Sequence, residues 1–507
     1  MSNAAVYFVD RHKDEGRADK VAFREVGKGR SITYGALSDM SGLAASALLN
    51  HGIRPEERVA MLVLDQIEFP VLFWGAIKAG VIPVPLNTLL ATPIYDAILR
   101  DSRATTLVVS AELFDLVAPL LDSPFLRSVI VIGDAPDGTI SFEALMSKAT
   151  GILPAHDAHD DETAFWLYSS GSTGAPKGVH HVHAALRATS DTYGAQVLGI
   201  RSDDVVYSAA KFFFAYGLGN SMSFPMSVGA TVVIFAGRPT PDGVIDILAT
   251  ERPTLFCGVP TLFAALVAQL EANGAPDVPL RLCISAGEAL PEDVGARWQQ
   301  VMGTEILDGV GSTEMLHIFL SNAPGDVVYG TSGTPVPGYD VRLVDEAGND
   351  VGTDEVGELL VNGASAAGGY WNQRDKTRAT FEGVWTRTGD KYERRTDGRF
   401  VYCGRTDDMF KVSGIWVSPF EVEQAISSHP AVLECAVVAA RDDDGLEKPK
   451  AFVVVHGETP DDLEDVLRAH VKDRIGKWKY PRWIECVDSL PKTATGKIQR
   501  FKLREGL

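Results

Sequence analysis

Apolar runs of strand length recur through the first part of the chain: "RVAMLVL", "TTLVVS", "RSVIVIG", "TAFWLYSS", "ATVVIF", "TLFCGVP" and "LRLCISAG". They are apolar at successive positions, not at alternate ones, which predicts strands buried on both faces. Stretches with helical spacing lie between several of them, such as "EFPVLFWGAIKAG" and "PTLFAALVAQLEANG". Alternation of the two predicts α/β layers around substantially parallel sheets. From about Gly330 the texture shifts to shorter strands and turns in "YDVRLVDEAGNDVG", "GELLVNG" and "WTRTGDKYERRTDGRFVYCGR". This pattern predicts a β-rich subdomain. After "GRTDDMFKVSG" comes a compact α+β pattern of "SPFEVEQAISSHP", "VLECAVVAA", "KPKAFVVV", "LEDVLRAHVKDRI" and "RWIECVDSL". The domain boundary is placed at Arg405–Asp408, as a short hinge without a Pro/Gly/Ser-rich linker, giving units of 1–406 and 407–507.

One uncharged run, Phe212 to Gly237, is long enough to span a bilayer. Asn220, Pro225 and four glycines interrupt it, and it ends in the strand-like "ATVVIF". It reads as buried helix and strand, so no membrane span is expected.

Composition narrows the classes further. The chain has 507 residues, 45% hydrophobic and 22% charged, which is globular and long enough for about three domains. A formal net charge of −20 argues against general binding to nucleic acid or to anionic membranes. From Val471 to Leu507, however, ten Lys/Arg stand against four Asp/Glu. This basic tail suggests a local anionic ligand, with a solvated helix face as the plain alternative. The five cysteines form no C-x-x-C pair, and their odd number fits a reducing compartment. The start, "MSNAAVYFVDRHKDEG", becomes charged too early for a signal peptide. A cytoplasmic location is the expectation.

The stretch with the clearest chemistry is "YSSGSTGAPKGVHH", Tyr168 to His181. Glycines allow close backbone approach, while hydroxyls and the Lys177 ammonium make an anion cradle. It is not a Walker loop, because Ala175 and Pro176 separate Gly174 from Lys177. Nor is "GVGSTE" a dinucleotide fingerprint, since Glu314 stands where a third glycine belongs. The loop is expected to follow the strand "TAFWLYSS" and precede the helical "HAALRATSDTYGAQVLG". His180, His181 and His183 read as helix-start residues, not as a metal site.

Taken in order, "YSSGSTGAPKG", "SAGEALP", "DGVGSTEM", "TRTGDKY", "GRTDDMFKVSG" and "PKTATGKIQR" resemble the adenylate-forming acyl-CoA synthetases. "KFFFAYGLGNSMSFP", "GSTEMLHIFLSN" and "PKTATGKIQRFKLREG" look like the benzoate and hydroxybenzoate CoA ligases within them. The resemblance implies an α/β fold: a large N-terminal domain of two α/β subdomains plus a β subdomain, with a small mobile α+β C-terminal lid. It also implies ATP, Mg²⁺ and coenzyme A, an aromatic carboxylate as substrate, and a monomer or homodimer. A freestanding adenylation enzyme that loads another aryl or alicyclic acid onto CoA or a carrier protein is the alternative. A nucleotide-binding regulator without catalysis is the reading from another class.

Site residues follow from the same resemblance. Lys497 would bridge the substrate carboxylate and an α-phosphate oxygen, a reach that suits a point charge on a long stem. Ser169, Ser170, Gly171, Ser172, Thr173, Gly174 and Lys177 would hold the β- and γ-phosphates. Thr313 would contact the α-phosphate, and Glu314 with Thr173 would carry the metal. Asp390 would take the ribose hydroxyls, assisted by Arg405. Gly287, Glu288 and Asp308, with Gly309, Val310 and Gly311, match the adenine side. Phe214, Ala215, Tyr216, Gly217, His317 and Ile318 match the acyl pocket, whereas Phe212 and Phe213 read as core. Asp407 matches the hinge, and Lys411, Ser413 and Gly414 the CoA tunnel. Two departures stand out: Val310 replaces the usual adenine-stacking aromatic, and Phe214 stands where many relatives have histidine.

Overall fold

The computed structural model describes residues 3–170, 176–406, 408–412, 415–442, 446–455, 462–476, 479–492 and 498–505. Its spine is a nine-stranded sheet. Six strands run parallel in it, in the order Ile306–Gly311, Leu282–Ser285, Leu255–Gly258, Val205–Ser208, Thr231–Ile234 and Val21–Glu25. Leu255–Gly258 and Leu282–Ser285 are buried at every position, as strands covered on both faces must be. Helices Pro241–Glu251, Pro260–Asn273 and Glu292–Met302 supply one cover. There Phe263 packs edge-on to Trp298 with ring centroids 4.9 Å apart. Proline in the first turn of the first two sits where no backbone donor is lost.

A second sheet of five parallel strands holds Arg58–Leu62 at its centre-left, between Ile82–Pro85 and Thr106–Ser110. Antiparallel strands Tyr339–Val344, Val356–Gly363, Phe381–Glu382, Trp385–Arg394 and Phe400–Arg405 form the β subdomain. Beyond it, Val432–Arg441, Glu447–Val455 and Trp483–Cys486 make a mixed sheet under helices Pro419–Ser427 and Leu463–Ile475. Val422, Ile426, Val437, Val453 and Leu467 form its separate core.

Two local expectations change. The strand "TAFWLYSS" is not in a parallel sheet: Thr163–Ser170 pairs antiparallel with Pro176–Val182, which pairs with Gly369–Tyr370. The cradle is thus followed by a strand, and the helix starts only at His183. His180 and His181 are therefore strand residues. His180 stacks on Trp166 at 4.4 Å and His181 on Phe165 at 5.1 Å, and these cross-strand pairs favour the ladder over the helix. The run Phe212–Gly237 is, as expected, short helical turns leading to the strand Thr231–Ile234. Among the described residues no helix is long and apolar enough to cross a membrane.

The basic tail is partly occupied with holding the C-terminal unit together. Arg500 lies 2.7 Å from Glu423, Lys479 2.6 Å from Glu421, and Arg504 pairs with Asp408.

Candidate functional site

The site gathers where several parallel strands end at their carboxyl termini, the usual place for a ligand in such sheets. Gly287 follows the strand Leu282–Ser285 with φ +99°, a left-handed bend, and the exposed Glu288 comes next. In the adjacent strand Asp308 stands in register with Ser285. Burial pushes its carboxyl up to about 8, so at neutral pH it is mostly an acid with an O–H to donate. Gly309 and Val310 continue the strand, and Val310 packs half-buried on the core. A Cβ at Gly311 would lie 2.5 Å from the His317 carbonyl oxygen, so this position must be glycine for the turn to close.

That turn sets the next two residues. Leu316 N donates to Thr313 O at 3.2 Å, and Met315 N donates to Ser312 Oγ at 3.1 Å. Leu316 has φ +65°, a left-handed conformation that costs a non-glycine residue about 1–2 kcal/mol. The turn presents Glu314 to the neighbouring three-stranded sheet. Tyr370 donates its hydroxyl to Glu314 Oε1 at 2.7 Å. Lys177 Nζ lies 3.9 Å from the same oxygen, 3.4 Å from the Tyr370 hydroxyl and 4.5 Å above the Tyr370 ring. Burial lowers the Lys177 pKa, opposed by the Glu314 charge. Tyr370 carried no signal in the sequence; only the pairing of Gly369–Tyr370 with Pro176–Val182 delivers it.

On the β subdomain, Asp390 and Arg405 face each other across a ladder. Arg405 Nη1 donates to Asp390 Oδ1 at 2.8 Å and to Thr388 O at 2.9 Å. The Arg405 charge is also felt by Lys177 and Tyr370, so the two groups belong to one face.

The residues matched in the sequence to an acyl pocket form an aromatic cluster. Phe212 and Phe213 are core, with Phe212 stacked on Phe69 at 4.7 Å. Phe214 and Ala215 lead into a helical turn that carries Tyr216 and the buried Gly217. The Tyr216 hydroxyl lies 3.0 Å from both Gly258 O and Ile284 O, the ends of two parallel strands. His317 Nε2 sits 3.3 Å from the Tyr216 carbonyl oxygen, and Ile318 is buried beside it. A carbonyl only accepts, so Nε2 carries the proton. Burial pulls the imidazole pKa down to about 3, so the ring is neutral and Nδ1 is a bare acceptor with no partner among the described residues. Phe224 meets the His317 ring edge-on at 4.5 Å, and Tyr193 lies at 5.4 Å. The sequence reading missed both of these; Gly219 gives the His317 ring its room.

His180, His181 and His183 are all held below the usual histidine range by burial, at about 4, 3 and 4. His183 Nδ1 accepts from Ala4 N at 3.1 Å, a structural tie. Ser169 lies opposite Lys177 in the ladder. Ser170 and Lys411 are described in their backbone alone, paired with Pro176 and Trp416. Gly171, Ser172, Thr173, Gly174, Asp407, Ser413, Gly414 and Lys497 lie outside the described residues. No group of three or more His, Cys, Asp or Glu is placed to hold a metal among the described residues.

Comparison with known proteins is consistent along the whole chain. The AMP-binding enzyme family matches residues 10–371, and the AMP-binding enzyme C-terminal domain matches residues 421–497. A 4-hydroxybenzoate–CoA/benzoate–CoA ligase of Rhodopseudomonas palustris is 53% identical, covering 99% of this chain and 94% of the relative. A benzoate–CoA ligase of Thauera aromatica is 52% identical, over 99% and 95%. Among solved structures, a benzoate CoA ligase from Burkholderia xenovorans LB400 superposes with a TM-score of 0.91 at 48% identity, over 99% and 100% of the two chains. The anthranilate CoA ligase AuaEII with anthranoyl-AMP gives 0.94 at 41% identity, over 99% and 97%.

Proposed function

This chain belongs to the AMP-binding enzyme family of adenylate-forming ligases, and from that premise we propose that it joins benzoate or a hydroxybenzoate to coenzyme A. It is an ATP-dependent, AMP-forming carboxylic acid–CoA ligase. A carboxylate oxygen attacks the α-phosphorus of ATP and pyrophosphate leaves, giving the aroyl-adenylate. The CoA thiolate then attacks the acyl carbon and AMP leaves. The first step must bring two anions together, so fixed cations and donors arranged in advance supply most of the catalysis.

The observation that supports an aryl acid is the neutral aromatic cluster of Tyr216, His317, Phe224 and Tyr193 at the strand ends. None of these four side chains is charged at neutral pH, which favours a flat uncharged ring over a second carboxylate. His317 Nδ1 offers a lone pair that a ring hydroxyl can donate to. Lys177 and the cradle take the outer phosphates, Thr313 the α-phosphate, Asp390 and Arg405 the ribose, and Gly287, Glu288 and Asp308 the base. Lys497 bridges the two reacting anions. Residues 407–507 form the lid, which turns about Asp407 and exchanges Lys497 for Lys411, Ser413 and Gly414 along the thiol passage.

Magnesium fits the donor set. A single carboxylate, Glu314, with one oxygen bonded to Tyr370, suits a hard cation that arrives already bound to phosphates. When bound, the ion spreads the negative charge of the polyphosphate. Glu314→Gln is expected to raise the magnesium concentration for half-maximal adenylation by about 10–100-fold. A magnesium titration at saturating ATP checks this, and an unchanged midpoint removes Glu314 as the carrier.

A substrate panel tests the whole reading by carboxylate-dependent ATP–pyrophosphate exchange and by CoA thioester formation. Benzoate and 4-hydroxybenzoate are expected to exceed hexanoate in kcat/KM by at least about tenfold, with cyclohexanecarboxylate between them. Absence of exchange with every aryl acid would overturn it.

A further inference from the structure

The aromatic segment that carries Phe214, Ala215 and Tyr216 begins at Lys211, and a carboxylate from the other α/β sheet reaches this start. Asp65 follows the strand Arg58–Leu62 and is 6% exposed. Its Oδ1 accepts from Phe212 N at 3.3 Å. Lys211, next in the chain to Phe212, donates its Nζ to Gly237 O at 2.8 Å and to Phe235 O. Lys211 O in turn accepts Phe214 N at 3.1 Å. A Cβ at Gly217 would fall 2.0 Å from the same Lys211 oxygen, so the lysine backbone is packed directly under the acyl-side turn.

Asp65 is not sealed from water. It lines a cavity of about 150 Å³ together with Glu25, Lys28, Phe235 and Gly237. At roughly 30 Å³ each, that space is large enough for several waters. None of the reaction steps above uses this carboxylate or this cavity.

We propose that Asp65 is a positioning residue for the acyl pocket: its negative charge, acting on Lys211 and the Phe212 amide, holds the 211–217 segment in the form that binds the aryl acid. The inference rests on the aryl-ligase reading above. The charge makes the device sensitive to pH. Burial, opposed by Lys211 and the Phe212 N–H, raises the Asp65 carboxyl to about 6. The charged and titratable groups around it are Lys211 and the Tyr207 hydroxyl on its packed side, and Glu25 and Lys28 across the cavity. Glu25 is itself bonded to Ile67 N and paired with Arg30. His317 and His181, both near 3, remain neutral from pH 5.5 to 8, and the aryl carboxylate remains ionised there.

The sign for stability runs opposite to the sign for binding. A carboxyl whose folded pKa lies above its unfolded value favours the fold when protonated and loses that contribution as pH rises through about 6. Asp65→Asn is therefore expected to leave the Tm at pH 7.5 unchanged or raised.

The test follows KM for benzoate and for ATP by pyrophosphate exchange between pH 5.5 and 8, in wild type, Asp65→Asn and Asp65→Ala. In wild type, KM for benzoate is expected to rise about 3- to 30-fold on acidification through pH 6. Asp65→Asn is expected to hold the high value at every pH, with KM for ATP within about twofold of wild type. Asp65→Ala, which also loses the bond to Phe212, is expected to be worse for benzoate alone. Exchange with a flat wild-type profile, or benzoate and ATP constants rising together with a fallen Tm, overturns the inference and leaves the ligase reading standing. No exchange with any aryl acid overturns both.

Discussion

Lys497→Ala is expected to slow adenylate formation by about 10²–10³-fold, measured as benzoate-dependent pyrophosphate exchange. Thioester formation from preformed benzoyl-AMP and CoA is expected to fall by less than about threefold. The asymmetry follows from where charge accumulates. In the first step the attacking carboxylate and the α-phosphate are both anionic, and a single ammonium between them lowers the barrier by more than it aids either ground state. In the second step the thiolate approaches a neutral acyl carbon and the departing charge is carried by AMP, so a group that bridged the two anions has nothing left to bridge. Among the described cations, Lys177 is engaged with Glu314 and Tyr370, and Arg405 with Asp390, so neither is placed to substitute. Loss of both steps to the same extent would remove Lys497 from this role.

What the sequence shows and what it hides divide along physical lines. Strands buried on both faces announce themselves as unbroken apolar runs, so the parallel core from Arg58–Leu62 to Leu282–Ser285 was legible without a structure. The grouping of Tyr216 with His317 was legible as well, because both sit in the motifs matched to the proposed acyl side. The strand Pro176–Val182 was not. Its proline, lysine and glycine read as turn chemistry, and its strand character comes from stacking of His180 and His181 on partners 14 to 16 residues earlier in the chain. The same holds for Tyr370, which reaches Glu314 only through pairing across about 190 residues of chain. Asp65 and the Phe212 amide meet across 147 residues of chain, and local pattern carries no record of that. Contacts between distant elements are what a periodicity argument cannot supply.

Gly219→Ala is expected to raise KM for benzoate by about 30-fold or more while leaving KM for ATP within about twofold. Gly219 has φ −62° and ψ −55°, ordinary helical values that alanine adopts freely. On backbone grounds alone the change favours the helix by about 0.5–1 kcal/mol. The obstacle is the neighbour: an added Cβ would lie 2.3 Å from His317 Cδ2 and 2.7 Å from Nε2, with Phe224 at 3.1 Å. The imidazole cannot retreat cheaply, because Gly311 packs against its own carbonyl and the Tyr216 carbonyl holds Nε2. One of the two must yield, and either movement displaces the ring proposed to border the aryl acid. The double variant Gly219→Ala/His317→Ala separates this collision from general damage. If the methyl acts by pushing His317, removing the imidazole relieves it, and the double variant binds benzoate no worse than His317→Ala alone. Additive losses in the two single variants would instead mean that Gly219 serves the packing of Phe224 and not the placement of His317. Because the atoms nearest the methyl belong to this pair, the proposed nucleotide side, with Glu314, Lys177, Asp390 and Arg405, supplies the internal control in the same assay.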